Sequence, residues 1–504
     1  MKIEWLIQET AWPRELPDAV SAFLRDGPAA WLDSAAPTQM DELHVNSESE
    51  NRKTHNGYSL ICRAPIGILE QPADGGARFL IDNRCAASDA NGWALWKAIQ
   101  HRLPKQPQID LHIVPGWIGH VGFEMGHFLE RLPKTNPYDL GLSLMRMMLF
   151  DRGIVLDHAR QRAFAIAATG ARSSFDLPEE PIEHLLEQWQ AAATVSARPA
   201  YTTTPTVSFD MPREYYRGMI HRALEYIAAG DIYQVNLAQR LRCDGVGNPF
   251  ETYCRMRQAN PAAYAAYLQG PDGTLGSVSP ELFLKLRGRD VLTSPIKGTR
   301  PHTGDTLLDA AYRQELLDSE KEAAELAMII DLHRNDLGKV CDYGSVLVRA
   351  ARRIETHPTV YHTVADVIGR LRPEYNGLDL LQACFPAGSI SGVPKIRAQE
   401  IIDELEPAAR GAYTGTIGVL GLDGGMTFSV AIRTVQFRDD TAFIYVGGGI
   451  VADSDPEDEY EETLAKARGM LNGIMGETAI PDDVTSSEIR SSISQPDHDP
   501  NESR

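Results

Sequence analysis

The chain has little of what a nucleic-acid-binding or membrane-spanning protein needs. Its 504 residues include 49 Lys and Arg against 69 Asp and Glu, which gives a net charge of −20. A chain this acidic is a poor candidate for nonspecific nucleic-acid binding. No apolar run reaches the roughly 18 residues of a membrane span, and residues 1–5 do not begin a signal peptide. We therefore expect a cytoplasmic protein with no nucleic-acid or membrane partner.

Cysteine is also scarce. The sequence has no CxxC pair, and its six cysteines are Cys62, Cys85, Cys243, Cys254, Cys341 and Cys384. Such sparse spacing predicts free thiols in a reducing compartment.

The length suggests about two to four domains' worth of chain, although one large intertwined domain is also possible. Residues 1–195 alternate short apolar runs with turn residues. The predicted elements of this region are strands at 29–32, 58–62 and 78–81, a helix at 93–102 and a loose polar loop at 40–57.

The rest of the chain divides by composition. A stretch rich in Thr, Pro, Ser and Ala at 196–212 predicts a linker. Residues 213–475 follow, and they begin with a predicted helix at 213–229 and a strand at 232–241. Residues 478–504 are polar and nearly free of aromatics, which predicts a disordered tail. The boundary near residue 205 rests only on this change in composition and does not predict a hinge between two domains.

One segment, Ser294–Asp305, reads Ser-Pro-Ile-Lys-Gly-Thr-Arg-Pro-His-Thr-Gly-Asp. Its prolines and glycines predict a rigid loop at a strand end, which would hold Lys297 in a fixed place. A lysine has a reference pKa of roughly 10.4; burial or a nearby cation would lower that pKa and free the amine as a nucleophile. The alternative, which the segment alone favours, is an exposed turn with a solvated lysine.

Two segments predict acidic helices. Residues 313–332 have a helical apolar stripe, and Glu322 and Glu325 share one face of it. A second helix is predicted to start at Asp455-Pro456, and its charged face carries Glu459, Glu462 and Lys466. Two carboxylate pairs can clamp one Mg²⁺, which takes one or two carboxylates and fills its other positions with water and substrate oxygens. Taken singly, each pair is better explained as a solvated helix face.

A glycine-rich strand precedes the second acidic helix. Residues 443–451 read Phe-Ile-Tyr-Val-Gly-Gly-Gly-Ile-Val. A strand that ends in three glycines before a helix can expose backbone N–H groups to an anion.

Four blocks now resemble one family, the chorismate-utilising enzymes. They are Ser294–Arg300, Asp331–Gly338, Pro386–Lys395 and Gly447–Ser454, in family order. The resemblance covers residues 210–472, and residues 1–195 more weakly resemble the N-terminal region of anthranilate synthase component I. It implies an α+β fold in which two large, mainly antiparallel sheets pack as a sandwich with helices outside. The N-terminal and C-terminal regions would share the core.

The resemblance also implies a metal site. Mg²⁺ would bind the ring carboxylate of chorismate, with Glu325 and Glu462 as its ligands. Glu322 and Glu459 would support them directly or through water. Lys466 would support the same end of the site.

The same resemblance implies the remaining site residues. Arg433 and the amides of Gly447, Gly448 and Gly449 would hold the enolpyruvyl carboxylate, with Tyr445 beside them. Pocket-lining residues would be Ser389, Thr414 and Gly415, and His362 would lie against the ring. Glu281 would be the general acid that protonates the departing ring hydroxyl, a role for which burial should raise its pKa.

Two positions separate members of the family. Water-using members carry a lysine base where this chain has Gln234; a glutamine cannot activate water, which favours ammonia as nucleophile. At Lys297, anthranilate synthases usually have alanine and aminodeoxychorismate synthases have lysine. The resemblance therefore implies conversion of chorismate and ammonia to 4-amino-4-deoxychorismate, the precursor of p-aminobenzoate in folate synthesis. None of the six cysteines lies within the Gly-x-Cys-x-Gly of a glutaminase of the usual kind. A separate glutaminase subunit, in a heterodimer, would therefore supply the ammonia.

Two alternatives stay open. One is anthranilate synthase component I, in tryptophan biosynthesis. The other is a noncatalytic subunit that binds chorismate or tryptophan, against which the intact Lys297, Glu281, Glu325 and Glu462 argue.

Two further features of the sequence bear on the resemblance. Residues 31–34, Trp-Leu-Asp-Ser, loosely resemble the Leu-Leu-Glu-Ser of a tryptophan pocket, which makes Ser34 a candidate contact; as a plain strand end they need no ligand. His302 stands where the family often has arginine, and we attach no functional meaning to it.

Overall fold

The architecture comes from a computed structural model that describes residues 3–25, 27–34, 57–196 and 205–475. The strands in those ranges are β1 (Trp5–Thr10), β2 (Ala29–Asp33), β3 (Tyr58–Arg63), β4 (Gly67–Gln71), β5 (Ala77–Ile81), β6 (Arg84–Asp89), β7 (Gly116–Val121), β8 (Met145–Leu149), β9 (Arg152–Asp157), β10 (Arg162–Ala168), β11 (Thr206–Phe209), β12 (Gln234–Asp244), β13 (Tyr264–Gly270), β14 (Gly273–Ser279), β15 (Leu282–Arg287), β16 (Asp290–Ser294), β17 (Ile296–Pro301), β18 (Leu347–Thr356), β19 (Val360–Arg370), β20 (Gly392–Val393), β21 (Thr416–Gly421), β22 (Met426–Val430), β23 (Thr434–Arg438) and β24 (Thr441–Ile450).

The α-helices in the same ranges are α1 (Leu16–Phe23), α2 (Gly92–Gln100), α3 (Ile182–Ala193), α4 (Arg213–Ala229), α5 (Pro249–Ala259), α6 (Thr306–Asp318), α7 (Glu320–Gly338), α8 (Gly377–Cys384), α9 (Lys395–Leu405) and α10 (Pro456–Met475). Short 3₁₀ turns occur at Phe123–Phe128, Arg172–Phe175 and Gly388–Ile390.

The strands form two 12-stranded sheets. The first has the order β1-β10-β9-β3-β2-β13-β14-β23-β24-β12-β11, with β20 paired to β12. The second has the order β17-β19-β16-β15-β22-β21-β7-β8-β4-β5-β6, with β18 paired to β19. The antiparallel pairs β2–β13 and β7–β21 join the two regions of the chain within each sheet. The N-terminal and C-terminal regions therefore share both sheets.

The two sheets pack against each other with helices outside. One buried cluster joins side chains of both sheets, among them Leu60 and Leu268 of the first and Ile118 and Ile417 of the second. A second cluster packs α1, α3, α5 and α10 on the first sheet, and a third packs α2, α7 and α8 on the second. The predicted α+β sandwich is thus confirmed.

Local signals explain several of the element bounds. The side-chain oxygen of Asp455 accepts the backbone N–H groups of Glu457 and Asp458, which starts α10 as predicted. Helix α4 covers 213–229 and ends at Gly230, which has φ of +81°. The predicted strands at 29–32, 58–62 and 78–81 and the helix at 93–102 are confirmed to within about two residues.

Two predictions about the segments around Lys297 are wrong. Residues 313–332 are not one helix, because Ser319 has extended ψ of 109° and its side chain caps the N–H of Glu322, so that α6 ends and α7 begins there. The segment Ser294–Asp305 is not a loop either. It continues as strand β17, paired with β19, and Gly298 adopts φ of +72° where the register shifts between Lys297 and Thr299.

Some predictions lie outside the described residues. These are the tail at 478–504, residues 197–204 of the linker predicted at 196–212, and nearly all of the loop at 40–57. Within the described part of that linker, Thr206–Phe209 forms β11. Of the helices in the described ranges, none is both long enough and apolar enough to cross a membrane.

Candidate active site

Lys297 lies among residues from separate parts of the chain. Its Nζ lies 3.4 Å from Oε2 of Glu325 on α7, and both side chains are about 15% exposed. The same Nζ is 3.2 Å from the point where a Cβ on Gly449 of β24 would stand. Its charge also acts on the carboxyl groups of Glu462 and Glu281. Lysine and carboxylates distant in sequence therefore converge on one site.

Small residues make this convergence possible. A Cβ on Gly298 would collide with Oε2 of Glu322, so the glycine lets α7 approach β17. A Cβ on Gly448 would stand 2.9 Å from Oε2 of Glu459 on α10. The positive φ of Gly298 favours glycine at that position, and both close approaches leave little room for a larger residue beside these carboxylates.

The carboxylates of α7 interact with each other. Burial and the neighbouring Glu325 raise the pKa of Glu322. One oxygen of Glu322 forms an ion pair of 3.2 Å with Arg300. Its other oxygen, Oε2, is buried without a hydrogen-bond partner among the described residues. A buried carboxylate oxygen without a donor is an incomplete interaction that a cation or water would satisfy.

The carboxylates of α10 form a similar pair. Burial and the charge of Glu462 raise the pKa of Glu459, whose Oε1 accepts a hydrogen bond of 2.6 Å from Ser454. Burial alone would raise the pKa of Glu462, but the nearby lysines, first of them Lys466, outweigh it and lower that pKa. Lys466 lies 2.7 Å from Glu462 and donates to the carbonyl of Gly447 at 2.8 Å.

These residues fit a hard divalent cation. Four carboxylates on two helices meet near Lys297, and one of their oxygens has no partner among the described residues. In the described part of the chain, no three His, Cys, Asp or Glu side chains form a preformed metal centre. Mg²⁺ does not need one, since it takes one or two carboxylates and retains water and substrate oxygens. Lys297 acts on both Glu325 and Glu462, and their assignment as the metal ligands stays a prediction.

Glu281 is buried in the same site. It is 3% exposed, and Ser389 donates a hydrogen bond of 2.7 Å to its Oε1. Burial raises the pKa of Glu281 to about 7, although Ser389, the backbone N–H of Ile296 and the charge of Lys297 all act to lower it. At neutral pH this carboxyl is therefore protonated about half of the time, as a general acid requires.

His362 presents a free nitrogen. Its Nδ1 lies 3.0 Å from Oγ1 of Thr299, and its Nε2 is buried without a partner among the described residues. Burial, Arg433 and His357 lower the pKa of His362 to about 3, so the ring is neutral at physiological pH. A neutral imidazole with an open nitrogen can contact a ligand by a hydrogen bond.

Arg433 carries a positive charge that acts on the neighbouring His362. It adopts φ of +51°, and burial lowers its pKa. Its guanidinium forms no hydrogen bond or ion pair with any residue in the described ranges. An unpaired, partly buried guanidinium is a strong attractor for a carboxylate.

The glycines of β24 line one edge of the site. Gly447, Gly448 and Gly449 pair with Ala238, Leu237 and Asn236 of β12. On its other side, β24 pairs with β23 only up to Ile444. The backbone of Gly447–Gly449 is therefore unpaired with a strand on that side.

Three predicted residues are not brought to this group of carboxylates. The hydroxyl of Tyr445 donates to the carbonyl of Ala409 at 2.6 Å, and its ring stacks on Tyr413. Thr414 Oγ1 accepts from Arg410 at 3.0 Å. Gly415 packs against the backbone of β7, since a Cβ there would meet Val121 O. The pocket-lining role of Thr414 and Gly415, and the place of Tyr445 beside the enolpyruvyl carboxylate, stay predictions.

Ser34 lies elsewhere, between the sheets. With Leu32 and Asp33 it lines a cavity whose other walls include Tyr58, Tyr264 and Lys285. Asp33 is fully buried and forms an ion pair with Arg257. His302, where the family often has arginine, lies 2.7 Å from the carbonyl oxygen of His357.

Two groups near the site were not identified from the sequence. The buried pair of Arg410 and Glu406 lies behind Ser389, and Lys321 acts electrostatically on Glu459 and Glu462 from the first turn of α7. No motif spacing marks either one, because each depends on which helices meet.

Gln234, which the sequence did identify, is fully buried next to Gly449, and neither of its side-chain polar atoms has a partner among the described residues.

Comparisons with known proteins show the family to which the chain is related. Residues 66–472 match the family described as chorismate binding enzyme. The chain is 38% identical over 370 residues to aminodeoxychorismate synthase component 1 of Klebsiella aerogenes, covering 73% of this chain and 79% of that protein. It is 39% identical over 369 residues to an anthranilate synthase component 1 of Haloarcula marismortui, covering 71% and 76%.

Solved structures show the same fold. Anthranilate synthase component I from Streptococcus pneumoniae superimposes with a TM-score of 0.73 at 29% identity, over 86% of this chain and 95% of that one. The menaquinone-specific isochorismate synthase of Escherichia coli superimposes with a TM-score of 0.68 at 16% identity, over 94% and 95%, and this likeness concerns the fold alone. The chain therefore belongs to the family of chorismate binding enzymes.

Proposed function

We propose that this protein is the chorismate-aminating component of aminodeoxychorismate synthase. It would convert chorismate and ammonia to 4-amino-4-deoxychorismate. The observation that carries the proposal is Lys297, a primary amine between the buried acid Glu281 and the carboxylates Glu325 and Glu462. An anthranilate synthase, which adds ammonia directly at ring carbon 2, needs no amine there.

The proposed reaction consists of two displacements. The neutral amine of Lys297 forms a bond to ring carbon 2, the ring double bonds shift, and the 4-hydroxyl leaves as water with a proton from Glu281. Ammonia then forms a bond to carbon 4, and the Lys297 amine leaves carbon 2. Glu281, at a pKa of about 7, can give up the proton and recover it from the added ammonia. No net oxidation or reduction occurs.

Binding groups surround the reacting ring in this scheme. Mg²⁺ held by Glu325 and Glu462, with Glu322 and Glu459 in support, would supply positive charge for the ring carboxylate and oppose protonation of Lys297. Arg433 and the backbone of the β24 glycines would hold the enolpyruvyl carboxylate, and neutral His362 would contact the ring.

Gln234 favours ammonia over water as the nucleophile. Its amide cannot act as a general base, and it lies beside Gly449 in the same site as Lys297. Ammonia would come from a separate glutaminase subunit in a heterodimer, for which excess ammonium salt can substitute in vitro.

The second candidate is anthranilate synthase component I. The 39% identical relative from Haloarcula marismortui favours it.

In either case the cavity at Ser34 is a candidate tryptophan site, lined by apolar and polar groups between the sheets. Calorimetric titration of tryptophan into wild type and Ser34→Ala would test that site, with weaker binding expected for the variant and equal binding contradicting it.

The deciding experiment is a product assay with chorismate, Mg²⁺ and ammonium salt, with and without aminodeoxychorismate lyase. Wild type should give lyase-dependent p-aminobenzoate. Lys297→Ala should lose it by roughly 10³-fold or more, since removing a covalent nucleophile costs orders of magnitude. Lys97→Ala, which removes a half-exposed lysine paired with Asp379 on the outside of the second sheet, is the matched control. Lyase-independent anthranilate from wild type would contradict the proposal and favour anthranilate synthase.

A further inference from the structure

A buried arginine stands behind the acid of the proposed reaction. Arg410 is 1% exposed, and its ion pair with Glu406 is equally buried. The guanidinium contacts five acceptors: Glu406 Oε2 at 2.9 Å, Glu406 Oε1 at 2.5 Å, Ile390 O at 3.3 Å, Thr414 Oγ1 at 3.0 Å and Asn236 O at 2.6 Å. All five of its N–H donors are thereby used.

Two of these acceptors belong to the wall of the site. Ile390 directly follows Ser389 in the 3₁₀ turn Gly388–Ile390, and Ser389 donates to Glu281. Asn236 lies two residues after Gln234 on β12, and its backbone N–H donates to Ser391 O at 3.0 Å. Arg410 therefore holds the Ser389 turn and the start of β12 together from behind.

The rest of the network fixes Arg410 itself. Glu406 also accepts the backbone N–H of Ala238 at 2.8 Å, so the ion pair is tied to β12 at a second point. The guanidinium lies over the ring of Phe123 at 4.7 Å. Glu124 accepts the backbone N–H of Arg410 at 2.6 Å. A buried charge with every donor satisfied is a rigid anchor, and it has little freedom to reorient.

We propose that Arg410 is a positioning residue for the reaction, which holds Ser389 where it can donate to Glu281 and thereby sets the orientation and acidity of that carboxyl. This inference rests on the proposed function of Glu281. Lysine cannot replace Arg410 in this role, because one ammonium has three donors and cannot reach five acceptors arranged in a plane.

The first test is the pH profile of kcat/KM for chorismate in Arg410→Lys, Ser389→Ala and the double variant. The hydrogen bond from Ser389 favours the charged carboxylate, so its loss should move the alkaline limb upward by about one pH unit in each single variant. The activity of the double variant should match that of the less active single variant to within about threefold, because both substitutions remove the same interaction between Ser389 and Glu281. An unmoved limb with losses that multiply would overturn the inference.

A second test does not depend on turnover. The charged groups that act on Glu281 are Lys297 of β17 and, by hydrogen bonding, Ser389 and the Ile296 N–H. Glu281→Gln should stabilise the protein more at pH 9 than at pH 5.5. This increase in unfolding free energy should be about 1.7-fold larger in the Arg410→Lys background than in wild type, because Glu281 has a higher pKa in that background. Equal gains would overturn the inference even if chorismate were not aminated.

Two more variants keep the tests decisive. Glu406→Gln removes the charge that orients Arg410, and it replaces Arg410→Lys in the test if that variant does not fold. It should move the alkaline limb of the pH profile in the same direction. Arg146→Lys makes the same change at an arginine that is also 1% exposed and paired with Asp272, away from the site; it should lower stability without moving the limb. Absence of chorismate turnover in wild type would refute the proposed function, while the unfolding measurement would still decide the role of Arg410.

Discussion

The raised pKa of Glu281 has a consequence for stability that is independent of the reaction. Burial moves this pKa from 4.5 in the unfolded chain to about 7 in the folded protein. Between these values the folded protein binds more protons than the unfolded chain, so stability falls as pH rises through this range. Glutamine at 281 does not titrate and should escape the penalty.

The size of the effect follows from the shift. The raised pKa of Glu281 lowers the unfolding free energy of wild type by the equivalent of about one pKa unit at pH 5.5 and about 2.5 pKa units at pH 8. Each pKa unit corresponds to about 1.36 kcal/mol. Glu281→Gln should therefore become more stable relative to wild type by about 2 kcal/mol between these pH values. A buried carboxyl that lowers the stability of the folded protein at neutral pH is typical of a functional site.

Urea unfolding followed by tryptophan fluorescence at pH 5.5 and pH 8 measures this difference. The control is Glu187→Gln, which removes an exposed carboxyl on α3 and should show little pH-dependent difference. An equal stability difference at both pH values for Glu281→Gln would refute the reasoning, since it would mean that Glu281 is ionised normally in the folded protein.

The remaining predictions concern activity. In wild type, kcat/KM should fall tenfold per pH unit above about pH 7 as Glu281 ionises, and a flat profile to pH 9 would exclude it as the acid. Glu325→Gln should raise the Mg²⁺ concentration needed for half-maximal chorismate binding at least tenfold, measured by calorimetry; unchanged Mg²⁺ dependence would remove Glu325 from the ligand set. Arg433→Lys should raise the KM for chorismate by about 10–100-fold with a smaller change in kcat, because lysine lacks the bidentate fork; a pure loss of kcat would contradict a binding role.

The architecture could be predicted from the resemblance to a family, and several element bounds from local patterns. Asp455-Pro456 starts α10, and Gly230 ends α4, because capping and backbone φ are decided within a few residues. Alternating apolar runs identified β2, β3 and β5. One failure was local, because a serine cap divided the predicted helix at Ser319. The other was not local, because pairing with the sequence-distant strand β19 made the Lys297 segment a strand instead of a loop.

By itself, the sequence determined the family, the residue types of the site and most element bounds, since these depend on motif order and short-range propensities. Only the tertiary structure decided which groups act together. It brought Lys297 within 3.4 Å of Glu325, placed Ser389 on Glu281, turned Tyr445 toward Ala409 and put Arg410 behind the acid. Such contacts join residues tens to hundreds of positions apart, so they arise from sheet pairing and helix packing and leave no periodic trace in the chain.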